Sequence, residues 1–462
     1  MIDDRCEINN NVRCEVSFLQ IQDYFIVSLP SIVMLSTSTR SESSNAYSRS
    51  TSEPIRLIWH RHDLRLHDNE LYSDLNNEID NPVQVSKSIE NVVITQSSTR
   101  CVSLFVFDTT YFKPRPSIAS AFYDTVWTGP HAARVLIDAV SDLRNNLASI
   151  GGKLLVRVGD PTIIVPQIAQ EIGATEIFYN EEPGTYENEV SRKVKECFMG
   201  NKKCKIETKV GYTLNHPNDL PSDSNEWNQL AHPKDKNKQR RTKNNHVNAS
   251  LNNSQVLSER ESSFVDVSAN RFKGMSKIMG DFRKAARNST NVRKPLPAPS
   301  RLETPDILMN NGIAFGTIPS LENLIEPFMK QETKSILGLD PNIIDFVIQS
   351  AIDIRDANLN ICKGETEALK RLDFFIKNKH AAVADRSKAD VSNNDSSRLS
   401  VHFALGTLSP RTVYWKANEA YDECKWLMSH LEMRDFFLYT ALAADHHLFQ
   451  RRGIPLGKNK KK

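Results

Sequence analysis

The chain has 462 residues, 39% of them hydrophobic and 25% charged, enough to bury a sizeable core and, at this length, to form two domains with connections. Seven cysteines, at 6, 14, 101, 197, 204, 362 and 424, are scattered without a CxxC pair, which argues against a disulfide framework or a zinc site and for a reducing compartment. A formal net charge of +3 conceals 19 Lys and Arg against 9 Asp and Glu in residues 201–300, with 40 against 47 elsewhere, so the middle of the chain is either a polyanion-seeking stretch or a solvated linker.

Residues 1–53 read as a disordered or targeting tail. Met1-Ile-Asp-Asp lacks the basic leader of a secretory signal, whereas Ser36–Ser52 is rich in Ser, Thr and Arg and suits an organelle transit peptide, plastid included, if translation begins at Met34. The most apolar stretch, Phe18–Met34, contains Gln20, Gln22, Asp23 and Pro30, short of the roughly 20 apolar residues of a membrane span. No membrane segment is expected.

From Pro54 the pattern becomes regular. Short β-branched and apolar runs at Ile55–Trp59, Val102–Phe107, Leu154–Val158, Ile177–Tyr179 and Ile206–Val210 predict five buried strands. Thr128-Gly-Pro130 opens a helix whose Ala133, Leu136, Ile137, Val140, Leu143, Leu147 and Ile150 share one face before Gly151. Asp160-Pro161 offers a cap and first-turn proline for Ile163–Ile172, ended by Gly173, and Glu187–Phe198 supplies a further helix. Strands alternating with helices over 54–212 predict an α/β domain with a doubly wound, parallel, Rossmann-like sheet.

Residues 213–316 read as a basic linker, with 213–270 a disordered insertion around Lys234-Asp-Lys-Asn-Lys-Gln-Arg-Arg-Thr-Lys243. Order returns at Met279–Ala286, and Pro295-Leu-Pro-Ala-Pro299 should run extended. A partial helical domain follows over 317–450, carried by Glu365–Ile376, the Ser409-Pro410 helix start and Trp426–Phe449. Residues 451–462 form a basic tail, which with the linker is a candidate contact for a polyanion such as DNA.

Chemistry concentrates just past the first strand, in His60-Arg-His-Asp63 and Leu64-Arg-Leu-His-Asp-Asn69, where a doubly wound sheet presents its binding loops. His60, His62 and His67 with Asp63 and Asp68 are a conceivable metal set. The alternative, preferred for Arg61, Asp63 and Arg65, is a charged network that fixes the turn. Asp445-His-His447 places adjacent imidazoles in different directions, unlike a metal-binding pair.

The run Trp59-His-Arg-His-Asp-Leu-Arg-Leu-His-Asp-Asn69 resembles the signature strand of the photolyase/cryptochrome family, with His60 at a phenylalanine position. The likeness continues through Thr128-Gly-Pro-His-Ala-Ala-Arg134, Leu155-Val-Arg-Val-Gly159 and His216-Pro-Asn-Asp-Leu-Pro221, and is closest to DASH-type cryptochromes and plant short photolyase/blue-light-receptor proteins. The resemblance implies an antenna domain holding a pterin or deazaflavin, with Glu182 at the place of the pterin-contacting glutamate, followed by a truncated all-α FAD-binding-type domain.

Ser396-Ser-Arg-Leu-Ser-Val-His-Phe-Ala-Leu-Gly-Thr-Leu-Ser-Pro-Arg411 resembles the family's flavin-phosphate segment. That likeness makes Ser396, Ser397, Arg398, Leu399 and Ser400 candidate FAD contacts, since donors at a helix start attract phosphate. Trp426-Leu-Met-Ser-His-Leu-Glu-Met-Arg-Asp-Phe-Phe437 aligns with a family helix beside the flavin and adds Arg434 and Asp435. The glutamate and tryptophan that meet the damaged pyrimidine in repair enzymes are His430 and Met433 here.

Full-length members continue with helices that hold the flavin ring and the electron-transfer tryptophans, and Trp59, Trp127, Trp227, Trp415 and Trp426 are the only tryptophans of this chain. Two functions therefore stand beside each other: a deoxyribodipyrimidine photolyase-like lyase or blue-light receptor with FAD, and a truncated, non-catalytic photoreceptor or interaction protein with weak or no FAD binding.

Overall fold

Period-two alternation builds the sheet. Along the first strand, Ile58 points to one face while Leu57 and Trp59 point to the other; in the second, Phe105 and Phe107 oppose Leu104 and Val106. Both faces are thus apolar, as a parallel sheet sandwiched between helices requires. The computed structural model describes residues 54–73, 75, 100–113, 127–200, 204–233, 272, 274–326, 341–353, 363–377, 397–420 and 425–444, all within one compact unit.

Strands β1 (Ile55–His60), β2 (Arg100–Asp108), β3 (Leu154–Gly159), β4 (Glu176–Asn180) and β5 (Lys205–Lys209) are all parallel, in the order β3-β2-β1-β4-β5. Helix α1 (Pro130–Ser149) covers one face; α2 (Pro161–Glu171) and α3 (Thr185–Cys197) cover the other. Proline 130 begins α1, and the Asp160 side chain caps α2 by accepting from the Thr162 N–H. The doubly wound reading of 54–212 is the observed architecture.

The stretch after β5 differs from expectation. Within the predicted insertion, residues 213–233 are ordered, because Trp227 on α4 (Ser224–Ala231) is large enough to seed a core with Phe272, with Phe282 of α5 (Met279–Ser289) and with Tyr439. The basic Lys234–Lys243 run lies outside the described residues. The proline-rich connector forms neither helix nor strand, and its continuation covers the outer edge of β3, where the Val156 N–H donates to the Phe315 carbonyl at 2.8 Å.

A second difference concerns the start of the helical domain at 317. Leu321, Leu324 and Ile325, and then Ile344, Ile348 and Ala351 of α6 (Pro341–Asp353), pack into the core beneath α1. They belong with the α/β domain, because they share one core with Ala133, Ile137, Val140, Leu143 and Leu147 of α1. The helical core proper joins α7 (Glu365–Lys377), α8 (Ser400–Leu405), α9 (Pro410–Ala420) and α10 (Lys425–Ala444) through Leu372, Phe375, Leu399, Val413, Leu427 and Leu431.

Candidate functional site

The loop after β1 is built by its charges. Arg65 is fully buried and donates to four carbonyls, those of His67, Asp68, Gly211 and Gly406, at 3.0, 2.9, 2.5 and 2.8 Å. Asp63 accepts the Arg61 N–H at 2.6 Å and the Asn180 amide at 3.0 Å. Burial alone would raise its carboxyl; His60, the Arg61 N–H and Arg65 overcome that and hold it at about 2. Arg61, Asp63 and Arg65 therefore form the turn-fixing network.

The three loop histidines are dispersed. His60 hydrogen-bonds with the Tyr72 hydroxyl at 2.8 Å, His62 with Glu182 at 2.7 Å and His67 with Glu365 at 2.5 Å. Among the described residues no group of three His, Cys, Asp or Glu side chains stands where it could hold a metal ion. His446 and His447 lie outside them.

The same loop ties the sheet to the helices. Asp68, in the left-handed region at φ 48°, receives a two-pronged bond from Arg411 at 2.7 and 2.9 Å and a further bond from the Ser409 hydroxyl. Glu365 accepts the N–H groups of Leu66 and His67 at 2.9 and 2.8 Å. Gly406, at φ 64°, lies so close to the loop that a Cβ would stand 1.9 Å from the His62 carbonyl oxygen. Sequence reading quoted Arg411 inside a motif without a role and missed Glu365 and Gly406; their partners lie some 300 residues away.

A pocket of about 150 Å³ opens at the carboxyl ends of β1, β2 and β4 and is lined by His62, Asp108, Tyr111, Thr128, Glu182 and Tyr186, among others. This is the switch point of the sheet, where strand order reverses. Glu182 is 6% exposed and accepts from the His62 backbone N–H at 3.0 Å, with an Arg61 nitrogen at 3.4 Å. Burial pushes its carboxyl up, but Arg61 and His62 outweigh that and hold it at about 2. Glu182 in turn raises His62.

Three rings gather at this pocket: Tyr111 with Trp127 at 5.2 Å, Tyr111 with Tyr186 at 5.7 Å and Trp127 with Tyr186 at 5.3 Å. The Tyr186 hydroxyl donates to Asp108 at 2.6 Å, and that of Tyr111 donates to Glu187. No sequence pattern marks these rings, since isolated aromatics after a strand carry no spacing signal.

Around the predicted flavin loop, Ser396 lies outside the described residues. The Ser397 carbonyl accepts from Arg371 Nε at 3.0 Å. Arg398 is left-handed at φ 54°, Leu399 is buried and right-handed, and Ser400 begins α8 on the surface. Arg371, missed by sequence reading, is lowered by burial and then by the charge of Arg398, which therefore lies within electrostatic reach of it. Behind them, burial and then Arg371 push the His402 imidazole down to about 4.

The two residues predicted from α10 bond to backbone groups. Arg434 donates to the carbonyls of Tyr212 and Phe403, and Asp435 accepts the N–H groups of Leu214 and Asn215 at 2.9 and 2.8 Å. Burial raises Asp435 to about 6 despite those donors. The pair fastens α10 to residues 212–215. His430 is exposed and donates to the carbonyl of Trp426 at 2.8 Å, while Met433 is half-buried.

Comparison with known proteins agrees with this architecture. Residues 56–249 match the DNA photolyase family model. Cryptochrome DASH of Danio rerio is 26% identical over 403 residues, 85% of this chain and 59% of that protein. The blue-light photoreceptor PHR2 of Arabidopsis thaliana is 24% identical over 404 residues, 83% of this chain and 68% of the relative. A cryptochrome of Synechocystis sp. PCC6803 superposes with a TM-score of 0.58 at 23% identity, over 87% of this chain and 64% of that one, and shares the fold. The chain spans less than two thirds of the length of the DASH cryptochromes it matches.

Proposed function

Taking the chain as a member of the photolyase and cryptochrome family, we propose that it is a flavin-binding protein that responds to blue light. The observation carrying this reading is the turn before α8, where Arg398 is left-handed, Leu399 is right-handed and Arg371 Nε holds the Ser397 carbonyl. A left-handed residue followed by a right-handed one turns successive backbone N–H groups toward one side, a concavity suited to phosphate oxygens. The positive charges of Arg371 and Arg398, close enough to affect each other, reinforce it. Ser396, Ser397, Arg398, Leu399 and Ser400 would hold the diphosphate of FAD, with Arg371 beside them, and the flavin when bound would supply the light absorption and electron transfer. Arg434 and Asp435 would act one step removed, by holding the helix that flanks the site.

The pocket at the strand ends is the proposed antenna site, for a pterin or deazaflavin. Glu182 supports this, since its carboxylate is kept ionised and acceptor-only while aromatic rings line the same space.

Light reception is favoured over repair of pyrimidine dimers in DNA by one observation: the side chain at 430 is a histidine committed to its own helix through the Trp426 carbonyl. A repair enzyme needs a carboxylic group toward the damaged base and an aromatic ring to stack on it, and methionine stacks poorly.

The test is absorption spectroscopy on the purified full chain, followed by irradiation with dimer-containing DNA. Flavin bands near about 450 nm, reduced in Arg371→Ala and Arg398→Ala, are expected; a colourless protein that takes up no added FAD ends the proposal. Persistence of dimers under blue light is the outcome expected of a receptor, and their loss would establish repair. Combined His430→Glu and Met433→Trp changes should then raise affinity for dimer-containing DNA.

A further inference from the structure

Helices α5, α9 and α10 enclose a groove of about 820 Å³, separate from the turn before α8 and from the strand-end pocket. Arg283 and Arg287 stand one turn apart on α5, and both lean on Glu432 of α10: Arg283 Nε lies 2.9 Å from the carboxylate, and Arg287 donates Nε and Nη2 at 2.6 and 2.9 Å. Arg283 Nη2 donates to the Ser429 hydroxyl at 2.6 Å. Glu432 is only 7% exposed, so one buried carboxylate orients two guanidinium groups and leaves a single positive charge in excess.

That excess is accessible. Neither arginine's Nη1 has an acceptor among the described residues, and the Arg287 side chain is 59% exposed. Glu432 and, after burial has opposed it, Tyr414 raise the Arg287 guanidinium, which places the phenol within electrostatic reach of it. A guanidinium already fixed by one carboxylate loses little rotamer freedom when it takes a second, and its planar fork matches the two oxygens of that group.

Helix α9 adds an aromatic lining. Tyr414 and Trp415 meet edge-on at 5.9 Å, and the Trp415 indole N–H donates to the Arg293 carbonyl at 2.9 Å, which holds the ring in place. Met428 of α10 lines the same groove. Arginine, tryptophan, tyrosine and methionine are the side chains enriched where proteins bind one another, and rigid rings and pre-oriented guanidinium groups carry most of the energy there.

The charge balance selects among acidic partners. A run of phosphates calls for a row of cations, whereas Arg283 and Arg287 share Glu432 and Arg293 is spent on Asp219 at 2.7 Å through two nitrogens. Lys294 lies over the Trp415 ring, 5.6 Å from its centre, on a face that a stacked base would need. One carboxylate beside an aliphatic side chain fits both restrictions. We propose that this groove docks an acidic segment of a protein partner, with a carboxylate on Arg283 and Arg287 and a neighbouring aliphatic side chain against Trp415 and Met428. This inference stands on the groove alone and does not depend on flavin binding.

The full chain, as purified and in the dark, is panned against a phage-displayed library of random linear peptides, and each selected peptide is synthesised with fluorescein and titrated by anisotropy. The selected sequences are expected to carry Asp or Glu next to an aliphatic residue and to lose about tenfold or more in affinity for Arg287→Ala and for Trp415→Ala. Arg287→Lys, which keeps the charge and loses the fork, should fall between. Converting the acidic residue of the peptide to its amide should cost about as much as Arg287→Ala, and the two changes together little more than either alone. Lys193→Ala on α3 removes equal charge from a distant surface and should match the wild type.

The proposal falls if the selected peptides are neutral or basic, if Arg287→Ala and Trp415→Ala bind them like the wild type, or if Lys193→Ala weakens binding as much as Arg287→Ala. It falls equally if no peptide is selected; oligodeoxythymidine binding that Arg287→Ala and Trp415→Ala both weaken would then assign the groove to nucleic acid instead. Melting temperatures of the variants separate loss of the groove from loss of the fold, and flavin absorbance on the same samples keeps a failure here apart from a failure of flavin binding.

Discussion

At Gly406 the whole question of side-chain size reduces to one atom. The position combines a left-handed backbone, φ 64°, with a space in which a Cβ would stand 1.9 Å from the His62 carbonyl oxygen. Gly406→Ala should therefore cost about 2 kcal/mol or more, read as a lowered denaturant midpoint. Glu182 and His62 set a second residue-scale expectation. The carboxyl is depressed to about 2 in the folded chain, so its contribution is present above its unfolded value of about 4.3 and is lost as pH falls through about 2. His62 is raised, so its share is complete below about 6.5 and fades as pH climbs through the raised value. Thermal melts of Glu182→Gln and of the wild type should therefore differ most between those limits and converge in acid. The carboxylate itself was legible in sequence; its two partners were not, because pairing across 120 residues leaves no local pattern.

Helix α10 shows how an element can serve two cores. Leu427 and Leu431 enter the helical core near its start, and Tyr439 and Leu442 enter the Trp227 core near its end. Between them Asp435 accepts two backbone N–H groups and the Asn215 amide from residues 214–215. Asp435→Ala strands those buried donors and should cost about 1–3 kcal/mol, seen as faster amide exchange at Leu214 and Asn215 than elsewhere in the chain. Elements with strong local signals were readable: all five strands, α1 behind its first-turn proline, α2 behind the Asp160 cap, and the helix starting at Pro410 fall where apolar runs, Asp160 and the prolines put them. Residues 213–233 were not, because Trp227 is a single apolar anchor in a polar stretch, and its burial depends on Phe282 and Tyr439 arriving from other parts of the chain.

On the scale of the whole molecule, sheet and helices are held together by a few buried charges. Arg411 pairs with Asp68 and Glu70, and Arg65 reaches Gly406. Breaking such a pair leaves an uncompensated charge in the interior, so Arg411→Ala should lose about 3–5 kcal/mol, with protease cleavage within 363–420 rising before cleavage of the sheet. The charged motif after β1 was legible as a turn-fixing network, yet its role in tying the sheet to the helices emerged from contacts about 300 to 340 residues apart. The packing of residues 321–353 against α1 has a bearing on how the protein is made. Every described strand is already present once residue 209 has been synthesised, but Leu143 and Leu147 share their core with Ile344, Ile348 and Ala351. At typical translation speeds the nascent sheet would wait roughly 10–30 s for that cover, a window in which a chaperone has an apolar helix to hold.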